Sequence, residues 1–369
     1  MLLPSPFALE RYFAIHEFKV RHLLGPSDCE SMRLEELLAL ADVEALGLWR
    51  SLALGYTESA GHPILRAEVA RLYETITAGD VLAVIPEEGI FLAVHAAVAP
   101  GDHVVALVPA YQSLVEVART AGCDVTPWRL RLGASGWYLD LDELKRSIND
   151  RTRLLVLNFP HNPTGYSPSR AELSAIVELA QQRGVWVLSD EMYRLLERSP
   201  DDRLPAACDL YERGISLSGV SKSFGLPGLR VGWLACRSSE LVRRCQQLKD
   251  YTTICGSAPS EILAVVALRA REAIVGRSLE IVRANLARAE EFFTTRPHLF
   301  RWVPPRAGSV AFPEWRGLLP LDELRRRALD SGVMVVTGDL FESEGSHFRV
   351  GLGRRGFPEA LSAFEACLP

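Results

Sequence analysis

An α/β fold, in which a large domain built on a mostly parallel sheet is followed by a smaller α+β domain, is predicted by two features of the sequence. From about residue 80, short apolar runs alternate with helical patterns; the run His103–Val108, for example, precedes the helical pattern Tyr111–Ala121. The runs Arg153–Asn158 and Val185–Asp190 are apolar along most of their length. Strands of this kind are typical of a largely parallel sheet that helices cover on both faces.

The remaining elements of the large domain follow the same alternation. Further strands are predicted at Asp124–Trp128, Ile215–Ser218 and Leu229–Cys236, and helices at Leu141–Ile148 and Ala171–Arg183. Gly184 directly follows the second of these helices, and glycine is a common residue after a helix C-terminus.

The C-terminal third has a different pattern, which predicts the smaller domain. Long helical patterns at residues 260–271 and 279–294 precede short strands at Leu299–Val303, Ser309–Phe312, Val333–Val336 and His347–Gly351, with helices at Leu321–Leu329 and Pro358–Cys367. The segment up to about Leu54 is helical and aromatic. We therefore expect residues 1–50 to be an N-terminal segment packing with the small domain, residues 51–255 to be the large domain and residues 256–369 to be the small domain.

Composition and charge exclude several classes of protein. The 369 residues are 48% hydrophobic and 24% charged, which is ordinary for a folded protein and excludes disordered, collagen-like and coiled-coil chains. A net charge of −5 argues against a generic nucleic-acid binder, which needs a basic face.

Cysteine usage and the N-terminus predict a cytoplasmic protein. The seven cysteines are odd in number, widely spaced and without a Cys-x-x-Cys motif, which favours free thiols and no metal site. Met1–Glu10 has neither the basic region nor the long apolar region of a signal peptide.

Polar residues follow several predicted strands, and ligands in α/β proteins gather at the carboxyl ends of strands. Arg153–Asn158 leads into Phe159–Gly165, where two prolines and a glycine hold Asn162 in a rigid turn. This turn either exposes the Asn162 amide at the sheet edge or simply connects a strand to a helix. Asp190, which ends the next strand, is either a helix N-cap or a buried acid with a partner, and Tyr193 follows one helical turn later.

Small residues surround a lysine after a further strand. Lys222 lies in Ser218–Gly232, where glycines follow it and Arg230 comes eight residues later. A surface loop is the ordinary interpretation for a lysine, but these neighbours are apolar and tight. A partly desolvated lysine favours a nucleophilic amine, and the Arg230 guanidinium in a glycine-flanked turn suits a phosphate.

Together these motifs resemble those of the class I/II aminotransferases, the pyridoxal-phosphate enzymes of fold type I. The resemblance rests on Asn162-Pro-Thr-Gly, Asp190-x-x-Tyr193, Ser221-Lys222 and Arg230, in that order and each after its own strand, and extends from about Tyr56 to Gly353. It implies a large domain with a mostly parallel seven-stranded sheet between helices, and pyridoxal 5'-phosphate as the cofactor.

The resemblance also implies roles for these residues. Lys222 would form the Schiff base with the cofactor and move the substrate α-proton, and Asp190 would pair with the pyridine nitrogen. Asn162 and Tyr193 would hydrogen-bond the ring hydroxyl oxygen, with Asn162 also near the substrate. Ser221 and Arg230 would bind the phosphate.

More distant matches extend the implied site. Tyr111, in Pro109-Ala110-Tyr111, would stack on the ring, and Arg349 would bind the substrate α-carboxylate. Tyr56 resembles the tyrosine that reaches the neighbouring subunit's phosphate, which would make the enzyme at least a homodimer. Gly25 would provide a backbone contact in the substrate pocket. For Tyr111 the alternative is a core tyrosine, and for Arg349 a surface arginine.

Two positions depart from the family pattern. Where a small-residue turn normally meets the phosphate, the sequence has Ile85-Pro86-Glu87-Glu88-Gly89, so backbone N–H groups of Glu87 and Glu88 would serve if the carboxylates turn away. Three residues before Lys222 the family commonly has Ser or Thr, whereas this chain has Gly219.

Aminotransfer between an α-amino acid and a 2-oxo acid is the function that the resemblance favours. Parts of the chain, including Asn158–Gly165 and Lys249–Ile254, resemble the capreomycidine synthase branch, whose chemistry is elimination and ring closure. A non-catalytic binding module and a nicotinamide dehydrogenase fit less well, because Lys222 is present and no Gly-x-Gly-x-x-Gly follows an early strand. His161 is either a polar group of the pocket or a turn histidine without a role.

The side chain of the substrate is not predicted. Candidates near the pocket are Tyr12, Phe13, Tyr251 and Thr253, each of which is equally a packing residue.

Overall fold

An eight-stranded sheet forms the centre of the computed structural model, which describes residues 3–369. Met1 and Leu2, the first residues of the expected N-terminal segment, lie outside the described residues. In chain order the strands are β1 (His22–Leu23), β2 (Val81–Val84), β3 (His103–Val108), β4 (Asp124–Gly133), β5 (Gly136–Leu139), β6 (Thr152–Asn158), β7 (Trp186–Asp190), β8 (Gly214–Gly219), β9 (Gly232–Ala235), β10 (Phe300–Arg301), β11 (Val310–Ala311), β12 (Glu314–Trp315), β13 (Val333–Met334), β14 (Val336–Thr337) and β15 (Phe348–Gly351).

Helices separate most of these strands. They are α1 (Ala8–His16), α2 (Leu34–Leu38), α3 (Val43–Arg50), α4 (Pro63–Ala70), α5 (Pro86–Ala97), α6 (Ser113–Thr120), α7 (Leu141–Ser147), α8 (Arg170–Gln182), α9 (Ala207–Leu210), α10 (Ser239–Lys249), α11 (Ala258–Arg269), α12 (Arg271–Thr294), α13 (Leu321–Asp330) and α14 (Phe357–Glu365). Within residues 3–369, no helix has both the length and the apolar character needed to cross a membrane.

The central sheet has the order β2-β9-β8-β7-β6-β3-β4-β5. The five middle strands, from β8 to β4, are parallel to one another, whereas β9 is antiparallel to both β2 and β8, and β5 is antiparallel to β4. The mostly parallel α/β architecture is thus confirmed. The expected seven strands become eight because β4 is longer than predicted and turns back into β5 at Gly136, which has a φ of 116° that glycine adopts readily.

Helices cover both faces of this sheet, as the apolar strands predicted. Along β3, Val104 and Ala106 belong to the apolar cluster that includes α5 and α6, whereas Val105 and Leu107 belong to the cluster that includes α7 and α8. Successive side chains of a strand point to opposite faces, so β3 contributes to two separate cores. All four side chains are buried.

The C-terminal part contains small antiparallel pairings. Strands β11, β15 and β14 form one three-stranded sheet, and β10 pairs with β12. The start of the N-terminal segment joins this part, because β1 pairs with β13 and Leu9 of α1 packs with Phe312 and Met334, whereas Leu37 of α2 and Ala45 of α3 pack beside the large sheet. Helix α11 packs in the cluster that contains α3, α4 and residues of β2 and β9. The domain boundaries at residues 50/51 and 255/256 stay predictions.

The parallel strands position the candidate site. Asn158, the last residue of β6, is paired with Asp190, the last residue of β7, and Asp190 is paired with Leu217 of β8. Carboxyl ends of neighbouring parallel strands lie at one edge of a sheet. The segments after these strands, which carry Asn162, Tyr193 and Lys222, therefore meet at that edge.

Candidate active site

A cavity of about 530 Å³ lies at the carboxyl ends of β6, β7 and β8. Nine of the predicted site residues line it: Glu87, Tyr111, Asn162, Asp190, Tyr193, Ser221, Lys222, Arg230 and Arg349. Gly25, Tyr56 and Glu88 do not line it. One cavity thus contains residues that are separated by up to about 260 positions in the sequence.

Lys222 extends into this cavity from the turn after β8. Its Nζ donates a hydrogen bond of 2.9 Å to Ser27 Oγ, and the side chain is half-buried. The turn is held by Gly225, whose φ is 64° and where a Cβ would lie 2.5 Å from the Glu30 carbonyl oxygen. Only glycine fits this position without strain. The close approach of two chain segments therefore aims the lysine at the cavity.

Asp190 ends β7 and is buried. One of its oxygens, Oδ1, accepts a hydrogen bond of 3.0 Å from the Met192 N–H, so the residue both caps the following turn and lies in the site. Burial raises the pKa of Asp190 to about 6, against the lowering effects of the Met192 N–H and the nearby Lys222 charge. A cation at this carboxylate would offset its burial.

A hydrogen-bonded chain holds Asn162 and Arg349 together. The Asn158 amide oxygen accepts from the Asn162 N–H at 2.7 Å, which fixes the turn that carries Asn162. Arg349 Nη1 donates to Asn162 Oδ1 at 3.0 Å, and Arg349 Nε donates to the Gly25 carbonyl at 2.9 Å. Within the described part of the chain, Arg349 Nη2 makes no hydrogen bond. Arg349 is buried, and desolvation lowers its pKa.

Gly25 packs closely behind the hydrogen-bonded series that joins Asn158, Asn162 and Arg349. A Cβ at Gly25 would lie 2.5 Å from Val336 Cγ2, so a side chain would displace the backbone that Arg349 binds. Gly25 thus supports the arginine through its carbonyl oxygen and does not itself face the cavity.

Ser221, Arg230 and the start of α5 form one end of the cavity. The Ser221 hydroxyl oxygen is buried and has no hydrogen-bond partner among residues 3–369. Arg230 has a left-handed backbone (φ 55°) and an exposed side chain that reaches the cavity. Helix α5 begins at Pro86 with free backbone N–H groups at its N-terminus. These donors and this cation together suit an anionic group.

The two glutamates at the start of α5 differ. Glu88 turns away, because its Oε1 accepts hydrogen bonds from the Thr252 and Thr253 hydroxyls. Glu87 lines the cavity, and burial raises its pKa to about 7, with the nearby Glu10 charge adding to the rise. Two carboxylates beside an anion would repel it. That repulsion is reduced here, because Glu88 points elsewhere and Glu87 retains its proton more readily.

Two tyrosines line the cavity. Tyr193 is buried. The Tyr111 hydroxyl donates to Glu10 Oε1 at 2.8 Å, and burial raises the Tyr111 pKa. Tyr111 is therefore not a simple core residue, since it lies between α1 and the cavity.

Tyr56 and His161 lie outside the cavity. The Tyr56 side chain is 92% exposed, and within the single chain it does not line the cavity. His161 is buried in the turn, where its Nδ1 lies 2.8 Å from Thr164 Oγ1. Burial lowers the His161 pKa to about 3, and the residue is thus a turn histidine and does not line the pocket.

Sequence reasoning missed several residues that line the cavity or support its lining. Ser27 contacts Lys222 across 195 positions of sequence, and Asn158 orients Asn162. Glu10 and Glu17, on and directly after α1, also line the cavity. Only Asn158, as the last residue of an apolar strand, carried a local signal. Among the four side-chain candidates, Phe13 lines the cavity and Tyr12, Tyr251 and Thr253 do not.

Comparison with known families gives one match to most of the chain. The family described as "Aminotransferase class I and II" matches residues 43–355.

Among curated proteins, capreomycidine synthase from Streptomyces vinaceus is 33% identical over 265 residues, which cover 72% of this chain and 67% of that protein. A probable N-succinyldiaminopimelate aminotransferase from Mycobacterium tuberculosis (strain ATCC 25618 / H37Rv) is 36% identical over 200 residues. The match covers 54% of this chain and spans half the length of that relative.

Two solved structures resemble the whole chain. A PLP-dependent aminotransferase from Streptococcus suis has a TM-score of 0.91 at 27% identity, covering 99% of this chain and 96% of its own. A PLP-dependent cyclase, OrfR, has a TM-score of 0.90 at 27% identity, covering 99% of this chain and 97% of its own.

Proposed function

Since the chain belongs to the aminotransferase class I and II family, we propose that it moves an amino group between an α-amino acid and a 2-oxo acid, with Lys222 as the Schiff-base residue. Pyridoxal 5'-phosphate is the cofactor. The observation that carries the proposal is the meeting of Lys222 and Asp190 in one cavity.

The residues present fit this cofactor. The buried Ser221 hydroxyl lacks a partner, and the N-terminus of α5 and Arg230 supply donors and positive charge, as a phosphate requires. Asp190 is a buried carboxylate whose raised pKa a protonated ring nitrogen would lower. When bound, the cofactor's electron-withdrawing ring stabilises negative charge at the substrate α-carbon.

The chain's own residues would position the substrate and move its proton. The Arg349 guanidinium makes two hydrogen bonds within the protein and keeps a further N–H group for a ligand. A carboxylate accepts hydrogen bonds well from the planar, forked guanidinium. Lys222 Nζ, held by Ser27 Oγ, would carry the α-proton between two carbon positions. Asn162 would hold the Arg349 guanidinium and hydrogen-bond the ring hydroxyl oxygen. Tyr193 would also hydrogen-bond the ring oxygen, and Tyr111 would stack on the ring, since both line the cavity.

Elimination with ring closure is a second candidate function. It is favoured by the 33% identity to capreomycidine synthase and by the similarity to the PLP-dependent cyclase OrfR. Both reactions would use the same Lys222 and Asp190.

We also propose that the protein is a homodimer and acts in the cytoplasm. Tyr56 is 92% exposed beside Leu54, which is 87% exposed, and Tyr251 is 93% exposed. Exposed large apolar side chains favour burial against another surface, and a second copy would bring Tyr56 towards its neighbour's phosphate site. Light scattering of the purified protein would give twice the 40.8 kDa chain mass, and a monomer would contradict this part.

Product analysis distinguishes the two reactions. The cofactor-loaded protein is incubated with a panel of amino acids and one 2-oxo acid, with the Lys222→Ala variant as the control. Equal amounts of a new 2-oxo acid and a new amino acid would support aminotransfer. Ammonia or a cyclic product without amino transfer would favour the second candidate. No Lys222-dependent product with any amino acid would overturn both.

A further inference from the structure

We propose that Glu87 binds the cofactor phosphate as a neutral acid, whose O–H donates to a phosphate oxygen, so that the protein takes up a proton when the cofactor binds at mildly alkaline pH. The inference rests on the proposed function, because it takes this cavity as the cofactor site. It gives a role to a carboxyl group that lies where the family pattern has a small residue.

The start of α5 offers few backbone donors to an anion. Pro86, the first residue of the helix, has no N–H group. The Ile85 N–H donates to Glu88 Oε2 at 3.3 Å and is therefore already occupied. The N–H groups of Glu87 and Glu88 remain for a ligand, because the first turn of a helix has no carbonyl partner for them. A side-chain donor at this position would add to a short supply.

Glu87 shares its cavity with the groups that suit a phosphate. Ser221 and Arg230 line the same cavity, and the Ser221 hydroxyl oxygen is buried without a partner among residues 3–369. The Arg230 charge acts on the Glu87 carboxyl group, but the two make no ion pair in the described chain. The Glu87 carboxyl group is thus free to meet a ligand at this end of the cavity.

An ionised Glu87 would face negative charge from the protein as well as from the phosphate. The ionisable groups and the hydroxyl that face it are Glu10 of α1, Tyr111 and Ser113 at the start of α6, Asp190 of β7 and Arg230 after β8. Glu88 has a different environment, since the Thr253 hydroxyl donates to its Oε1 at 2.8 Å. Glu88 is therefore held away as an anion, whereas Glu87 escapes repulsion by being neutral.

The proton of Glu87 is linked to cofactor binding. Burial raises the pKa of Glu87 to about 7, and the Glu10 and Asp190 charges add to the rise, whereas the Ser113 hydroxyl and Arg230 oppose it. A bound phosphate adds a further negative charge and engages Arg230, so it raises this pKa again. The neutral carboxyl carries an O–H that donates to an anionic oxygen. Above about pH 7 the proton therefore comes from solvent as the cofactor binds.

Proton uptake on binding tests the inference without turnover. The probe is 4-deoxypyridoxine 5'-phosphate, a cofactor analogue that has no aldehyde and so forms no bond to Lys222. Calorimetry at about pH 8.5, in two phosphate-free buffers of different ionisation enthalpy, gives the protons taken up per analogue bound. We expect the wild-type protein to take up about one proton more than Glu87→Gln does. Protonation of the analogue itself occurs in both proteins and cancels in the comparison.

The affinities of two variants separate hydrogen-bond donation from the mere loss of charge. Glu87→Gln keeps an N–H donor at every pH, whereas Glu87→Ala has neither a donor nor a charge. At about pH 6 the analogue should bind the wild type and Glu87→Gln with Kd values within about threefold, and Glu87→Ala about tenfold more weakly. From about pH 6 to about pH 8.5, the wild-type Kd should rise about tenfold or more relative to that of Glu87→Gln.

Glu88→Gln is the matched control for proton uptake. It removes the same charge from the same helical turn, but at a side chain that accepts hydrogen bonds from the Thr252 and Thr253 hydroxyls. This variant should keep the extra proton of the wild type. Loss of that proton in Glu88→Gln would assign it to the wrong glutamate and overturn the inference.

The remaining outcomes distinguish the inference from the proposed function. Equal proton uptake in the wild type and Glu87→Gln, or equally tight binding of the analogue to Glu87→Ala and Glu87→Gln at about pH 6, would overturn the neutral acid. Lys222-dependent aminotransfer in the same protein would then leave the proposed function intact. The extra proton in a protein that forms no Lys222-dependent product would uphold the role of Glu87 and overturn the proposed function. No binding of the analogue to any of these proteins would overturn both.

Discussion

Two walls of the cavity are built differently. The wall at the strand ends carries Asn162 and Asp190, to which Arg349 of β15 is joined through Asn162; all three are buried and held by backbone or amide hydrogen bonds. The wall formed by α1 and the residue after it carries Glu10 and Glu17, which are only partly buried and have incomplete hydrogen bonding. Buried polar groups with fixed partners suit chemistry that needs one geometry, whereas partly exposed charges suit recognition of a variable side chain. The two walls thus hold their polar groups to different degrees, and they come from separate segments of the chain.

The largest effect is expected at the strand-end wall, from Lys222→Ala. This change removes both the cofactor attachment and the proton carrier, so turnover should fall at least about 10³-fold, as measured by product formation at saturating substrate. Lys19→Ala, at an exposed lysine, is the control and should retain turnover. Substantial activity of the Lys222→Ala variant would contradict the assignment.

Arg349→Lys tests the arginine of β15 that binds this wall through Asn162. An ammonium cannot donate to Gly25, to Asn162 and to a carboxylate in the planar geometry of the guanidinium. We expect KM for the amino acid to rise about 10–100-fold with a smaller change in kcat. The control Arg131→Lys alters an exposed arginine that pairs with Glu143. An unchanged KM in Arg349→Lys would remove Arg349 from substrate binding.

Two neighbouring serines make a matched pair for the phosphate end. Ser221 Oγ has no partner in the described part of the chain, so Ser221→Ala should weaken cofactor binding about tenfold without lowering the stability of the cofactor-free protein. Ser223 Oγ donates to the Arg194 carbonyl at 2.5 Å, so Ser223→Ala should lower stability and leave cofactor affinity nearly unchanged. Cofactor titration and urea unfolding measure the two quantities. The reverse pattern would show that Ser221 is structural.

The smallest effect is expected at Glu87, in the first turn of α5. Its pKa is raised from 4.5 to about 7 by burial, so the folded cofactor-free chain holds this proton more tightly than the unfolded chain does. The stability from this group is therefore complete below about pH 4.5 and is lost as the pH rises through about 7. We measure the free energy of unfolding of the cofactor-free protein in urea at pH 5 and at pH 7.5. In Glu87→Gln, the loss of stability between these two pH values should be smaller by on the order of 1 kcal/mol.

The pKa of Asp190 is also raised by folding, so the stability of the Glu87→Gln variant should still depend on pH, but less steeply. An identical pH dependence in the two proteins would show that Glu87 does not titrate between the folded and unfolded states in this range.

The strand-end wall was largely predictable from the sequence, because its residues follow apolar strands. Strand His103–Val108 has its predicted bounds, and the strands that end at Asn158 and Asp190 differ from their predictions by one residue at the start. Parallel pairing then brings the following turns together without further information. The departures occur where apolar patterning is weak, as at β5 and at β9, which begins only after the left-handed turn at Arg230.

The α1 wall was not predictable in the same way. Whether Glu10 and Glu17 face solvent or a cavity depends on where α1 docks, and that is decided by contacts with Gln112 and Val335, about 100 and 320 residues away. The Ser27–Lys222 hydrogen bond is of the same kind, since no local pattern joins these positions. Tyr56 is a related case, because its predicted role lies in a second copy of the chain.

The central claim, that Lys222 is the residue that binds the cofactor covalently, can be tested by trapping that bond. The sequence contains four lysines, Lys19, Lys145, Lys222 and Lys249, and Lys249 is also buried, with its Nζ donating to the Ser59 carbonyl. Reduction of the cofactor-loaded protein with borohydride, followed by peptide mass mapping, locates the attached cofactor. The account predicts the added mass on the Lys222 peptide alone. Attachment at Lys249, or no attached cofactor on any lysine, would contradict it.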